Sequence, residues 1–329
     1  MATAHAGHAH AGTHAHAHAT AGSDRRWLAA ALVVIGVFML GEVVAGVVAG
    51  SLALLSDAAH MLTDAGSIAL ALWAIRLAAR PPAGRMTFGW KRVEILSAQA
   101  NGITLLLLAV WLAYEAVRRL LAPPQVTGGL VLITALIGVV VNVLVTWMIS
   151  RANRTSLNVE GAYQHILNDL FAFIATAIAG VVILLTGFVR ADAIATLVVV
   201  VLMLKAGVGL VRASSRIFLE AAPADLDPTA IGRAMAARDG VVEVHDLHIW
   251  EITSGSPALS AHVLVEPGRD CHAVREDLAH WLGHDQHIEH ATLQVDHARP
   301  EVITLGTRNA THCEDAHGPV HITPKSPGA

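Results

Sequence analysis

Between residues 19 and 244 the chain holds only two histidines, His60 and His165, and each is followed four residues later by an aspartate, Asp64 and Asp169. On a helix, an i, i+4 spacing sets both side chains on one face. Two such faces brought together present two imidazole nitrogens and two carboxylate oxygens, a tetrahedral set suited to Zn²⁺. Carboxylates confined together in an apolar site repel each other. Protons relieve that repulsion when the site is empty, and a divalent cation relieves it when the site is full. The imidazoles must be neutral to ligate, so binding of metal expels protons. The chemistry expected of these four residues is competition between a metal ion and protons.

The elements that must position them are apolar. Of the 329 residues 54% are hydrophobic and 15% charged, with a mean hydropathy of +0.54; soluble domains carry about 25% charged residues. Gly, Pro and charged breaks divide the apolar zone into spans near 27–49, 52–77, 93–118, 128–149, 162–187 and 191–211. Each approaches or exceeds the roughly 20 residues that cross a bilayer. The second and fifth spans run antiparallel, which carries both His/Asp pairs toward mid-membrane. An ionisable group at that depth costs on the order of 2.5–3.5 kcal/mol, so two copies of one pattern argue for function over packing. Arg25, Arg26, Arg76, Arg80, Arg85, Lys91, Arg92, Arg151, Arg154, Arg212 and Arg216 fall on one side of the spans, and Arg118, Arg119 and Arg190 on the other. The positive-inside rule then puts both termini in the cytoplasm. The net charge of −4 gives no basis for nucleic-acid binding.

Four zones are expected. Residues 1–24, with His5, His8, His10, His14, His16 and His18 among Ala, Gly and Thr, read as a disordered cytoplasmic tail that collects metal weakly. Residues 25–212 form the six-helix transmembrane domain. Residues 213–299 read as a small cytoplasmic α+β domain, with helices near 228–238 and 270–283 and strands near 243–251, 258–265 and 290–296. That αββαβ order suggests a ferredoxin-like sandwich. Residues 300–329 form a polar tail. Cys271 and Cys313 make no CxxC pair and are expected as reduced thiols. Glu42 and Asp57 sit near the outer ends of the first two spans, where they are placed to line an ion exit, and Asp57 is equally well a helix cap. Asn142 and Asn168 are expected to hydrogen-bond between helices, and Lys205 to snorkel or pair with a carboxylate. His280, His284 and His287 read as surface residues.

These residues resemble the cation diffusion facilitator family. The run from Leu54 through His60 to Asp64 is similar to the family's second-helix motif, and Gly161 through His165 to Asp169 to its fifth. Thr87-Phe88-Gly89-Trp90-Lys91-Arg92 resembles the opening of its third helix, and Val244-His245-Asp246-Leu247-His248-Ile249-Trp250 a strand of its cytoplasmic domain. The resemblance spans about residues 25–300. It implies a homodimer that exchanges cytoplasmic metal for outside protons by alternating access, and the short loops and absent targeting signals fit a plasma membrane. It implies zinc as substrate, with cobalt or cadmium secondary, because harder-metal branches replace His60 and His165 with Asp or Asn. It also implies a regulatory metal site of His245, His262, His272 and Asp296, reduced by Gln294 at a further ligand position and open to completion by His248, His290 or Cys313.

Two other readings compete. An intramembrane zinc metalloenzyme needs an open coordination position, which four protein ligands deny, and the chain has no HExxH, GxSxG or P-loop. A membrane zinc sensor would act through the cytoplasmic domain without transport. The expectation is a transporter and not an enzyme.

Overall fold

The computed structural model describes residues 14–49, 52–123, 128–298 and 318–322, with the side chains of residues 14–24, 42, 45, 46, 48, 49, 52–60 and 128–131 outside that description. The chain divides into two compact units, Met1–Ser214 and Ser215–Ala329.

The first unit consists of six helices: α1 (His14–Ala49), α2 (Leu52–Ala78), α3 (Val93–Leu121), α4 (Gly128–Ser150), α5 (Leu157–Thr186) and α6 (Ala191–Phe218). Five of them contain stretches long and apolar enough to cross a bilayer, Met61–Ala78, Val93–Leu121, Leu132–Ser150, Leu157–Thr186 and Ala191–Phe218. The apolar part of α1 adds the sixth. Leu28, Ile35, Met61, Ile68, Val145, Ile149 and Ile166 interlock α1, α2, α4 and α5 in one core. Leu105 and Ala109 of α3 meet Val199, Val200 and Met203 of α6 in another. Outward faces remain apolar, as at Leu107, Val140 and Val201, which suits lipid and not water. Close approach between helices depends on glycine. A Cβ added at Gly138 would lie 2.3 Å from the Phe173 ring, and one at Gly102 would lie 2.9 Å from Val211.

Two helices start earlier than the sequence reading placed them. α1 begins at His14, inside the tract expected to be disordered, because that tract is rich in alanine, the strongest helix former. α5 begins at Leu157 and not near 162. Its polar first turn is favoured by Glu160 at the positive end of the helix dipole, and Arg154 meets that carboxylate through two hydrogen bonds of 2.9 and 3.2 Å.

The second unit contains α7 (Pro228–Ala236), β1 (Val241–Thr253), β2 (Ser256–Val265), α8 (Cys271–His284), β3 (His290–His297) and β4 (His321–Ile322). The expected αββαβ order is present. Asp227 and Asp270 cap the two helices by accepting from backbone N–H groups of Thr229 and of His272 and Ala273. The sheet order is β3-β2-β1-β4, with β1 and β2 antiparallel and β2 and β3 parallel across α8. Met235, Val244, Leu259, Leu278 and Leu282 fill the core. One element was not expected: the tail returns as β4 and pairs antiparallel with β1, His321 opposite Val244. Its imidazole is buried, and it occupies the notch left by Gly232, where a Cβ would lie 2.3 Å from the ring.

Candidate metal centre

Asp64 on α2 and the His165/Asp169 pair on α5 meet. His165 Nε2 lies 3.1 Å from Asp64 Oδ1 and 4.0 Å from Asp169 Oδ2. One ligating atom from each of the three fits within 4.8 Å, and among the described residues no other group of three or more such side chains does so. Asp64 and His165 are buried and Asp169 half-buried. The early start of α5 matters here. His165 stands about 12 Å and Asp169 about 18 Å along α5 from Leu157, and Asp64 about 18 Å along α2 from Leu52, so all three lie well inside their helices. His60 precedes Asp64 by one turn of α2, on the same helix face; its side chain lies outside those described. Two carboxylates and an imidazole in one buried cluster form a donor set for a divalent cation whose charge they neutralise.

The neighbouring polar groups differ from the sequence reading. Among the described residues, Asn142 and Asn168 make no hydrogen bond to another helix. Each donates to the carbonyl four residues back on its own helix, Gly138 at 3.1 Å and Gln164 at 2.6 Å, because that acceptor is within reach without tilting a neighbouring helix. The interhelical bond comes instead from Asn158, whose Nδ2 donates to the Ala71 carbonyl of α2 at 2.9 Å. Asn158 precedes His165 by seven residues and Asp169 by eleven, so one stripe of α5 carries all three, a signal present in the sequence. Lys205 is exposed on α6 and has no carboxylate partner among the described residues. At the cytoplasmic end of α5, Arg154 lies 3.7 Å from the centre of the Tyr163 ring, and Gln164 donates to Glu160 at 2.5 Å. The side chains of Glu42 and Asp57 lie outside those described.

Residues 28–219 match the family model of the cation efflux transmembrane domain, and residues 223–298 that of the cation efflux protein cytoplasmic domain. The chain belongs to the cation diffusion facilitator family. It is 37% identical over 296 residues to a cadmium, cobalt and zinc/H(+)-K(+) antiporter of Bacillus velezensis, covering 88% of this chain and 91% of that protein. It is 37% identical over 279 residues to the metal cation efflux system protein CzcD of Cupriavidus metallidurans, covering 84% and 87%. It is 37% identical over 262 residues to the zinc transporter ZitB of Escherichia coli, covering 79% and 83%. The family is one of cation efflux transporters and not of enzymes, and this facilitator is a multi-pass integral membrane protein whose substrate is a metal cation.

The facilitator's cytoplasmic histidines are less gathered than the sequence reading expected. His245 and His262 are cross-strand partners, their rings edge to face with centroids 5.4 Å apart. Each has a carboxylate neighbour: Glu243 Oε1 lies 2.9 Å from His245 Nδ1, and Asp246 Oδ2 lies 3.5 Å from His262 Nδ1. Asp246 reaches that position from a β-bulge in which its φ is +54°. His272 and Asp296 do not join them within a shared coordination distance. The register explains why for Asp296: Gln294 stands opposite His262, Asp296 stands opposite Leu264, and the Gln294 amide donates to Asp296 at 3.0 Å. His272 is exposed in the first turn of α8, and Cys313 lies outside the described residues.

Proposed function

We propose that this facilitator exports zinc from the cytoplasm in exchange for protons, with His60, Asp64, His165 and Asp169 as the transport site. The observation that carries the reading is the buried cluster of Asp64, His165 and Asp169. His165 already contacts both carboxylates, so a cation entering between them replaces contacts of the empty cluster with metal–ligand bonds. Two carboxylates balance a divalent charge, and two neutral imidazoles favour a borderline-soft ion over a hard one. Protons held by the empty site leave as the metal arrives. Cadmium and cobalt fit the same donors as secondary substrates. Relatives named for zinc, cadmium and cobalt, and for exchange with H(+), support this assignment.

The protein works as a homodimer in the plasma membrane, with both termini inside. Residues 25–212 carry out transport, and residues 213–299 dimerise and sense cytoplasmic metal. His245 and His262 form the nucleus of the sensing site, and His272 and Asp296 join it on binding. The decisive test is zinc-driven proton flux in proteoliposomes. His60→Ala combined with Asp169→Ala should abolish it; wild-type flux in that variant would refute the assignment.

A further inference from the structure

We propose that His280 and His284 form a separate binding site for a divalent transition-metal ion on the exposed face of α8. The two residues are one helical turn apart, and their rings are parallel within 7°, with centroids 5.7 Å apart. Both are exposed to solvent. Rings that project the same way from i and i+4 offer two nitrogens to one ion without any change in the backbone.

Three further features favour an ion there. First, Asp285 Oδ1 lies 3.3 Å from His284 Nδ1. A carboxylate on one ring nitrogen holds the imidazole in the tautomer that leaves Nε2 free to ligate, the arrangement typical of metal-bound histidine. Second, the pair lies in the last turns of α8, which ends at His284. The unsatisfied carbonyls at a helix C-terminus favour a cation. Third, Gly283 sits inside the same turn, and a Cβ built there meets nothing within 4 Å. Glycine is a weaker helix former than alanine, so a cation bridging His280 and His284 staples a turn that is intrinsically loose. With two protein ligands and open water positions, the site takes Zn²⁺, Ni²⁺ or Cu²⁺ more weakly than a four-ligand cage. It does not depend on the transport reading.

The test uses the full-length protein in detergent, with Zn²⁺ alone as the ligand. Carbethoxylation of each histidine by diethyl pyrocarbonate is followed peptide by peptide by mass spectrometry, which separates this pair from the N-terminal histidines. Zinc should slow modification of both His280 and His284 in the wild type. In His280→Gln, His284 should lose that protection, and in His284→Gln, His280 should lose it, because removing one arm of a two-point chelate costs about tenfold or more in affinity. Glutamine keeps the helix intact, which circular dichroism verifies. The proposal is overturned if zinc leaves both wild-type rates unchanged, or if either histidine stays protected without the other. Zinc-driven proton flux measured on the same preparations separates failure of this site from failure of the transport reading.

Discussion

Imidazole and carboxylate meet at His165/Asp64/Asp169 in the first unit and at His245/Glu243 and His262/Asp246 in the second, by different means. The membrane cluster follows from helix period: i, i+4 pairs on two antiparallel helices, with burial among apolar side chains. The cytoplasmic pair follows from strand register, in which β1 and β2 set His245 against His262 and a bulge turns Asp246 toward them. Helix period is robust to sequence change nearby, whereas a strand register shifted by one residue would reverse every side chain. The first arrangement gathers three ligating groups within 4.8 Å of one another. The second gathers two histidines and leaves the other candidates apart.

The largest expected effect breaks or keeps that contrast. His165→Ala should lower zinc-driven flux by at least about a hundredfold, since a ligand is lost outright. His245→Ala with His262→Ala should leave flux at saturating zinc within about twofold and shift only its dependence on cytoplasmic zinc. Equal losses in both variants would erase the distinction. Proton competition sharpens it. Lowering the pH by one unit should raise the zinc concentration for half-maximal binding at the membrane site by about tenfold for each proton displaced, measured by isothermal titration on the His245→Ala/His262→Ala protein.

A smaller effect compares the rigidity of the two units. Gly138→Ala and Gly232→Ala each place a Cβ 2.3 Å from a ring, Phe173 in one case and His321 in the other. Phe173 is held within a long helix, so the first change should destabilise the protein by about 1–3 kcal/mol. His321 belongs to a two-residue strand that can peel away, so the second should cost less and should raise amide exchange at Val244. Thermal unfolding in detergent and hydrogen exchange distinguish these outcomes. The smallest effect is that of pH on β4. Burial, and then the charge of Arg233, lower the pKa of His321 below its ordinary value near 6.5. The group is neutral in both folded and unfolded chains above that value, so its stabilisation is complete there and is lost as pH falls toward the lowered pKa. The protection of Val244 against exchange, taken relative to the intrinsic rate at each pH, should therefore fall below pH 6.5 in the wild type and show no such step in His321→Phe.

The six helices are legible in the sequence because lipid demands long apolar runs, and the His/Asp pairs because nothing else in those runs resembles them. The αββαβ order is legible from alternating residues such as those of Val244 to Trp250. Other features depend on contacts that no local pattern announces. β4 is two residues in a polar tail, and its place follows from the missing Cβ of Gly232. Asn142 and Asn168 found acceptors on their own helices, a choice decided by which carbonyl lies within reach. Asp296 fell out of the histidine row because the β2–β3 register set Gln294 there instead.

Asn158 also has a mechanical meaning. Its bond to the Ala71 carbonyl ties α5 to α2 about 10 Å along the helix from His165, at the cytoplasmic end. A tie at one end makes α5 a lever with its pivot close to the Asp64/His165/Asp169 cluster. Tilting α5 by about 10° around that point moves His165 by roughly 2 Å, within what side-chain rotation can absorb, and moves Thr186 at the far end by roughly 7 Å. Such a pivot would let the far end of α5 swing while Asp64, His165 and Asp169 stay together.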